Sequence, residues 1–280
     1  VNGGLRIDLH THSNCSDGAL TPAELVTRAA AARIDVLALT DHDTIAGLAD
    51  AASHAGELGV QLVTGVEISA SWRSQAIHVL GLWIDPANAA LQRALAGQAE
   101  LRSLRMRRIC ARLSAVGLPG ERLLAAVEAK PGLPTRAHLA AALVAEGIVT
   151  RADEAFRKYL RRGRAAHIAA EWPALATVVA WISEAGGIAS LAHPARYDIS
   201  AGARRQLLAD FAAAGGAAIE VITGGNAAHQ IEACAQWAIK GGFAASVGSD
   251  FHDPQYAWNP LGSLAKLPPG VTPVWRSHGL

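Results

Sequence analysis

Short apolar runs recur along this chain, and nearly every one stops at a histidine or a carboxylate. "LRIDL" (5–9), "DVLALT" (35–40), "QLVTGVEIS" (61–69), "AIHVLGLWI" (76–84), "GIASLAH" (187–193), "AAIEVI" (217–222) and "FAASVGSD" (243–250) make seven. Continuous apolar runs of this length are what strands covered on both faces require. Helical patterns separate most of them. "TPAELVTRAAAARI" (21–34) opens with Thr21 as N-cap, Pro22 at the first helical position and Glu24 three residues after the cap. Further helices are expected at 44–59, stopped by Gly59, and at about 173–185, 201–214 and 227–240. Seven strands with helices between them predict a parallel α/β fold closed into a barrel.

One stretch breaks the series. Residues 86–170 hold no strand pattern and are rich in Ala, Leu and Arg, with Gly and Pro between helix-like segments. The expected organisation is a barrel domain from 1–85 and 171–280, with 86–170 a helical insertion covering the active-site face. At 280 residues and 51% hydrophobic, the chain can bury such a core. A net charge of +1 gives no reason to expect bulk nucleic-acid binding. Cys15, Cys110 and Cys234 show no CxxC spacing, so a reducing, cytoplasmic setting is expected. No signal-peptide pattern, no membrane-length apolar run and no sign of an obligate protein partner is evident.

The strand ends carry the chemistry. In a parallel barrel every strand's carboxyl end opens on one face, where active sites form. Residues two apart on a strand point the same way, so His10 and His12 face the centre together, as do Asp250 and His252. His42, Glu67, His78 and His193 fall on other strands, and Asp17 returns from the first loop. Six imidazoles and three carboxylates suit zinc, manganese or iron and exceed what one ion needs, so two or three ions are expected, with Glu67 able to bridge. Asp41 and Asp43 are left outside the ligand set, because an aspartate beside a ligating histidine often orients it instead. His54, His138, His167, His229 and His278 lie off the strand ends.

These motifs, "DLHTHSNCSDG", "ALTDHDT", "GVEIS", "IHVLG", "LAHP" and "GSDFH", resemble in order those of the PHP family, named for polymerase and histidinol phosphatase domains. The resemblance implies a distorted seven-stranded (β/α) barrel and a trinuclear metal site, manganese being the ion expected and zinc or iron the alternatives. It implies His10, His12, Glu67 and Asp250 around one ion, Glu67, His78 and His193 around a second, and Asp17, His42 and His252 around a third. Within the insertion, "PTRAHLA" (134–140) and "AFRKYLRRG" (155–163) resemble a branch that dephosphorylates 3′,5′-nucleoside bisphosphates and trims short RNA from the 5′ end. Thr135, Arg136, Lys158 and Arg164 are the expected substrate-binding residues, gripping the 5′-phosphate at a helix start and a basic segment.

The expected reaction is hydrolysis of the 3′-phosphate by a metal-bridging hydroxide, with no protein nucleophile and Cys15 incidental. Three divalent ions against three carboxylates leave a positive surplus suited to a phosphate dianion. The rivals are a histidinol-phosphate-like phosphatase, an amidohydrolase, and a non-catalytic metal-stabilised module binding RNA or protein. An amidohydrolase often bridges its metals with a modified lysine, but Lys130, Lys158, Lys240 and Lys266 all lie away from strand ends.

Overall fold

The seven strands pair in sequence order: β1 (Ile7–Asp8), β2 (Val36–Leu39), β3 (Gln61–Trp72), β4 (Gln75–Leu82), β5 (Ile188–Leu191), β6 (Ala218–Thr223) and β7 (Ala244–Gly248). This is a computed structural model, and it describes residues 4–256 and 259–280. The first strand meets the last: the Leu9 N–H donates to Val247 O at 2.9 Å, and Thr11 bridges Phe251 in parallel. The sheet thereby curls into a nearly closed, distorted seven-stranded barrel. Its interior and surround are packed with buried Val, Ile, Leu and Ala from every strand.

One strand runs against the expectation of an all-parallel sheet. β4 is antiparallel to both β3 and β5, while the other pairings are parallel. Only two residues separate β3 from β4, too few for a helical crossover, so a hairpin is the connection available. The reversal has a consequence for chemistry. His78 lies near the start of β4, opposite Ser69 of β3, and an antiparallel strand presents its start where its neighbours present their ends. The first strand is also shorter than the expected Leu5–Leu9, because pairing with β2 is limited to Ile7 and Asp8.

Helices α1 (Pro22–Ala31), α2 (Leu48–Leu58), α7 (Leu175–Glu184), α8 (Ala201–Ala213) and α9 (Ala228–Gly241) lie among the strands. The start of α1 follows from its sequence: Thr21 Oγ1 accepts from the Glu24 N–H at 3.2 Å, and Glu24 Oε2 accepts from the Thr21 N–H at 2.8 Å. Between β4 and β5 come α3 (Ala89–Ala115), α4 (Gly120–Glu128), α5 (Arg136–Ala145) and the single turn α6 (Ala152–Ala155), which runs into a π-helical turn at Phe156–Leu160. Met106, Ile109, Leu113, Leu123, Leu139, Leu143 and Leu160 form a second apolar cluster, whereas Leu91 and Leu95 join the barrel core. Helix α3 therefore belongs to both.

A buried polar knot fastens α3 to the barrel. Asp43 accepts from the Ser69 N–H at 2.7 Å, from Gln98 Nε2 at 3.1 Å and from Arg102 Nε at 2.6 Å. Arg102 Nη2 also donates to Ser69 Oγ at 2.9 Å. Asp43 sits beside His42 and Ser69 two residues beyond Glu67, so α3 is tied to the backbone that carries two of the nine strand-end residues. Arg102→Ala would leave the Asp43 carboxylate buried without its cation. It is expected to destabilise the protein by about 3–5 kcal/mol, read from the urea midpoint, because an uncompensated buried charge is costly.

Candidate metal centre

All nine candidate ligands converge at one end of the barrel, around Glu67. Its Oε1 lies 2.9 Å from His78 Nδ1 and 3.0 Å from His193 Nε2. Its Oε2 lies 3.3 Å from both His10 Nε2 and His12 Nε2 and 2.9 Å from His42 Nδ1. Asp250 Oδ1 is 3.4 Å from His10 Nε2, 3.3 Å from His12 Nε2 and 3.6 Å from His252 Nδ1. Asp17 Oδ1 is 3.3 Å from His252 Nε2 and 3.8 Å from His42 Nε2.

Several of these approaches are not hydrogen bonds. Asp17 Oδ1, His42 Nδ1, Glu67 Oε2 and His193 Nδ1 are buried with no hydrogen-bond partner among the described residues, although charged or polar atoms lie close by. His10 Nε2 and His12 Nε2 face one another at 3.1 Å. Buried donors and acceptors are normally paired, so lone pairs aimed at a shared point rather than at each other are what a cation would satisfy. Ligand atoms of His12, Asp17, His42 and His252, of His10, His12 and Glu67, and of His42, Glu67 and His78 each lie within 4.8 Å of one another. Imidazole nitrogen with carboxylate oxygen is the donor set of zinc, manganese and iron sites, and the residues fit such ions.

The electrostatics follow from burial and crowding. Burial opposes charge on Glu67, but His42, His10 and His78 outweigh it and hold its carboxyl well below the usual range. Asp17 and Asp250 are depressed in the same way, against burial, by His42 and His252 and by His10 and His252 respectively. His12 is raised to about 10: burial works against its charge, and Asp250 and Glu67 win. His42 is pushed down to about 4, chiefly by burial. His193 is also lowered, again mainly by burial.

Behind these side chains lie residues that position them. Asp41 accepts from the Ser13 N–H, Ser13 Oγ and Ser16 Oγ at 2.8, 2.6 and 2.6 Å, so it holds the first loop rather than joining the cluster. Arg196, in the turn after His193, pairs with Asp250 and donates to Gly224 O at 2.7 Å. Glu220 accepts from His10 Nδ1 at 2.9 Å. Sequence reading did not single out Arg196, Glu220 or Arg102. Glu220 did leave a signal, a carboxylate in the middle of the apolar run "AAIEVI".

The cluster opens into a cavity of about 760 Å³, whose wall includes Asp17, His42, His78, Arg105, Thr135, Arg136, Arg161, Arg162, His167 and Arg196. Of the expected substrate-binding residues, Thr135 and Arg136 line it; Thr135 also caps α5, accepting from the His138 N–H at 3.3 Å. Lys158 and Arg164 are not in that wall. Lys158 Nζ is instead 2.7 Å from Glu154 Oε1 one helical turn away, and Arg164 points to solvent. His167, which sequence alone left without a role, is brought to the cavity by the turn that follows the π-helix. The thiol of Cys15 is raised, mainly by burial, which disfavours a thiolate nucleophile.

A PHP-domain family model matches residues 8–168. The chain belongs to the PHP family. This PHP protein is 42% identical to a 3′,5′-nucleoside bisphosphate phosphatase of Chromobacterium violaceum, covering 96% of its own length and 95% of that protein. It is 42% identical to a 5′-3′ exoribonuclease of Haemophilus influenzae, covering 97% and 98%. It also superposes on a solved Chromobacterium violaceum structure described as an amidohydrolase with bound sulfate and no metal, at a TM-score of 0.91 and 42% identity over 97% and 95% of the two chains. No helix among the described residues is long and apolar enough to cross a membrane.

Two opposing titrations should shape the metal-free PHP protein. His12, raised to about 10, contributes stability that is complete below its ordinary value of 6.5 and fades as pH climbs towards 10. His42, lowered to about 4, contributes stability present above 6.5 and lost as pH falls towards 4. Chelator-treated protein is therefore expected to show its highest Tm near pH 6.5. Mn2+ should raise Tm further, and more at pH 8 than at pH 6, because binding must expel the His12 proton. Scanning calorimetry across this pH range checks both.

Proposed function

We propose that this PHP phosphoesterase removes the 3′-phosphate of 3′,5′-nucleoside bisphosphates and trims short RNA from its 5′ end, with two or three divalent ions held by His10, His12, Asp17, His42, Glu67, His78, His193, Asp250 and His252. Manganese is the first choice of ion. When bound, such ions would supply positive charge opposite the phosphate oxygens and acidify water there.

The observation that carries the reading is a second anion-seeking surface in the same cavity. Arg105 and Arg136 are both largely buried, and neither has a carboxylate partner among the described residues. Arg105 donates only to Ile168 O, at 3.0 Å from Nη2 and 3.3 Å from Nε, and Arg136 lies over the Phe156 ring at 5.7 Å. Burial, then Arg136 and Arg102, push Arg105 down to about 10. Burial and Arg102 lower Arg136 as well. Guanidiniums that destabilise one another's charge gain most from an added anion. A nucleotide with phosphates at both ends of its ribose matches a cavity with ligand-type side chains on one wall and arginines on another. Arg196, which pairs with Asp250, also lines the cavity and would add a further guanidinium beside a phosphate held there.

Residues 86–170 are read as the cover that carries this specificity. That segment holds 15 of the 25 Lys and Arg residues and 6 of the 24 Asp and Glu residues. The remainder of the chain is correspondingly acidic. A basic cover over an acidic metal face suits a polyanionic substrate. The names of the two sequence relatives, one a nucleoside bisphosphate phosphatase and one an exoribonuclease, support the same substrate class. An amidohydrolase reading has less support, since Glu67 stands where that class often uses a modified lysine. Three unpaired thiols fit a cytoplasmic setting.

The test separates the two walls. Arg105→Ala and Arg136→Ala should each lower kcat/KM for a 3′,5′-bisphosphate by about tenfold to over a hundredfold, the value of roughly 1.5–3 kcal/mol for a charge-assisted hydrogen bond, while an aryl phosphate is spared. Lys158→Ala, whose ammonium is engaged by Glu154, should change neither, and Cys15→Ser should keep most activity. Equal losses on both substrates would overturn the assignment of the arginine wall.

A further inference from the structure

Glu220 is fully buried in β6 and stands behind the candidate ligands rather than among them. Its Oε1 lies 2.9 Å from His10 Nδ1, and its Oε2 lies 2.5 Å from the backbone N–H of His193. Thr223 Oγ1 donates to the same Oε2 at 3.4 Å. Room for the His10–Glu220 pair depends on a missing side chain. A Cβ at Gly248 would stand 2.2 Å from His10 Cβ and 2.8 Å from Glu220 Oε1. A carboxylate inside an apolar strand is costly unless its oxygens are engaged, and here both are.

We propose that Glu220 is a positioning residue that sets the tautomer of His10 and the backbone of His193 together, so that the metal positions served by these two histidines load as a unit. The inference rests on the metal reading of the previous section. An imidazole that donates Nδ1–H to a carboxylate keeps its lone pair on Nε2. In His10 that lone pair faces Glu67 and Asp250, the oxygens with which it would share an ion. His193 has a different need. Its φ is +33°, a left-handed conformation that a residue with a Cβ adopts only when its surroundings hold it. The hydrogen bond from its N–H to Glu220 is such a hold, and it leaves His193 Nε2 3.0 Å from Glu67 Oε1. One carboxylate thus serves a side chain just past β1 and a backbone after β5.

Only an acceptor at both oxygens can do this. Glutamine has the same shape but offers one acceptor and one donor. The His193 N–H cannot become an acceptor, so the glutamine oxygen must face it, and the amide NH2 must face His10 Nδ1. His10 would then carry its proton on Nε2, which turns an N–H into the ligand cluster and removes that ligand. A near-isosteric neutral substitution is therefore predicted to be severe for metal binding.

The experiment titrates purified protein with Zn2+ against a chromophoric chelator, for wild type and Glu220→Gln, and reads the His10 ring by 15N NMR of the zinc-loaded wild type. Wild type is expected to bind more than one ion per chain with His10 protonated at Nδ1. Glu220→Gln should bind at least two ions about 10–100-fold more weakly. A wild type that binds no zinc would remove the metal reading itself. A wild type that binds normally beside a variant that binds equally well, or is weakened at one position alone, would overturn the coupling through Glu220. Should the variant fail to fold, the wild-type spectrum decides: His10 protonated at Nε2, or ligating through Nδ1, overturns the proposal.

Discussion

Five imidazoles crowd the two oxygens of Glu67, a carboxylate with no exposed surface. No arrangement of hydrogen bonds satisfies that many partners at once, since two oxygens offer about four lone-pair directions and several of the nitrogens approach out of line. Crowding of this kind suits a shared coordination centre, and the rest of the barrel serves to hold it. The segment after β1 brings His10 and His12, the turn after β2 brings His42, the reversed β4 brings His78, and the turn after β5 brings His193. Residues beyond β7 add Asp250 and His252.

Holding so many polar groups in a buried barrel mouth requires a rear layer of equally buried partners. Glu220 answers His10 and His193, Asp41 answers the loop of Ser13 and Ser16, and Asp43 answers Ser69 and the helix that crosses above. The last of these has a wider role. Arg102 reaches down from α3 to Asp43 at 2.6 Å while its guanidinium lies 5.3 Å from the Trp172 ring at the cavity wall. Helix α3 and the loop that carries His42 are thus joined through a buried ion pair.

Charge is divided along the same seam. The segment 86–170 has Lys and Arg in large excess over Asp and Glu, and the barrel has the opposite balance, although the chain as a whole is nearly neutral. A net charge of +1 gave no reason to expect bulk nucleic-acid binding. The whole-chain sum concealed an uneven distribution, in which arginines of 86–170 line the same cavity as Asp17, His42 and His78. Fields in a cleft depend on where charges stand, not on their total.

Much of this was legible in the sequence because local rules carry it. The period of the apolar runs determined the strands, Thr21 and Glu24 determined where α1 begins, and the alternation of strand residues determined that His10 and His12 share a face. Adding that strand ends meet on one face was enough to bring nine ligand-type residues together. Tertiary structure decided what depends on contacts distant in sequence. It reversed β4, which explains why His78 serves the site from the start of a strand. It turned Lys158 onto Glu154 and brought Arg105 and His167 to the cavity. It placed Glu220 against His10, 210 residues away, and Arg102 against Asp43, 59 residues away. Periodicity reports which face a residue occupies, whereas the partner it meets there is set by how the barrel closes and how the segment 86–170 packs against it.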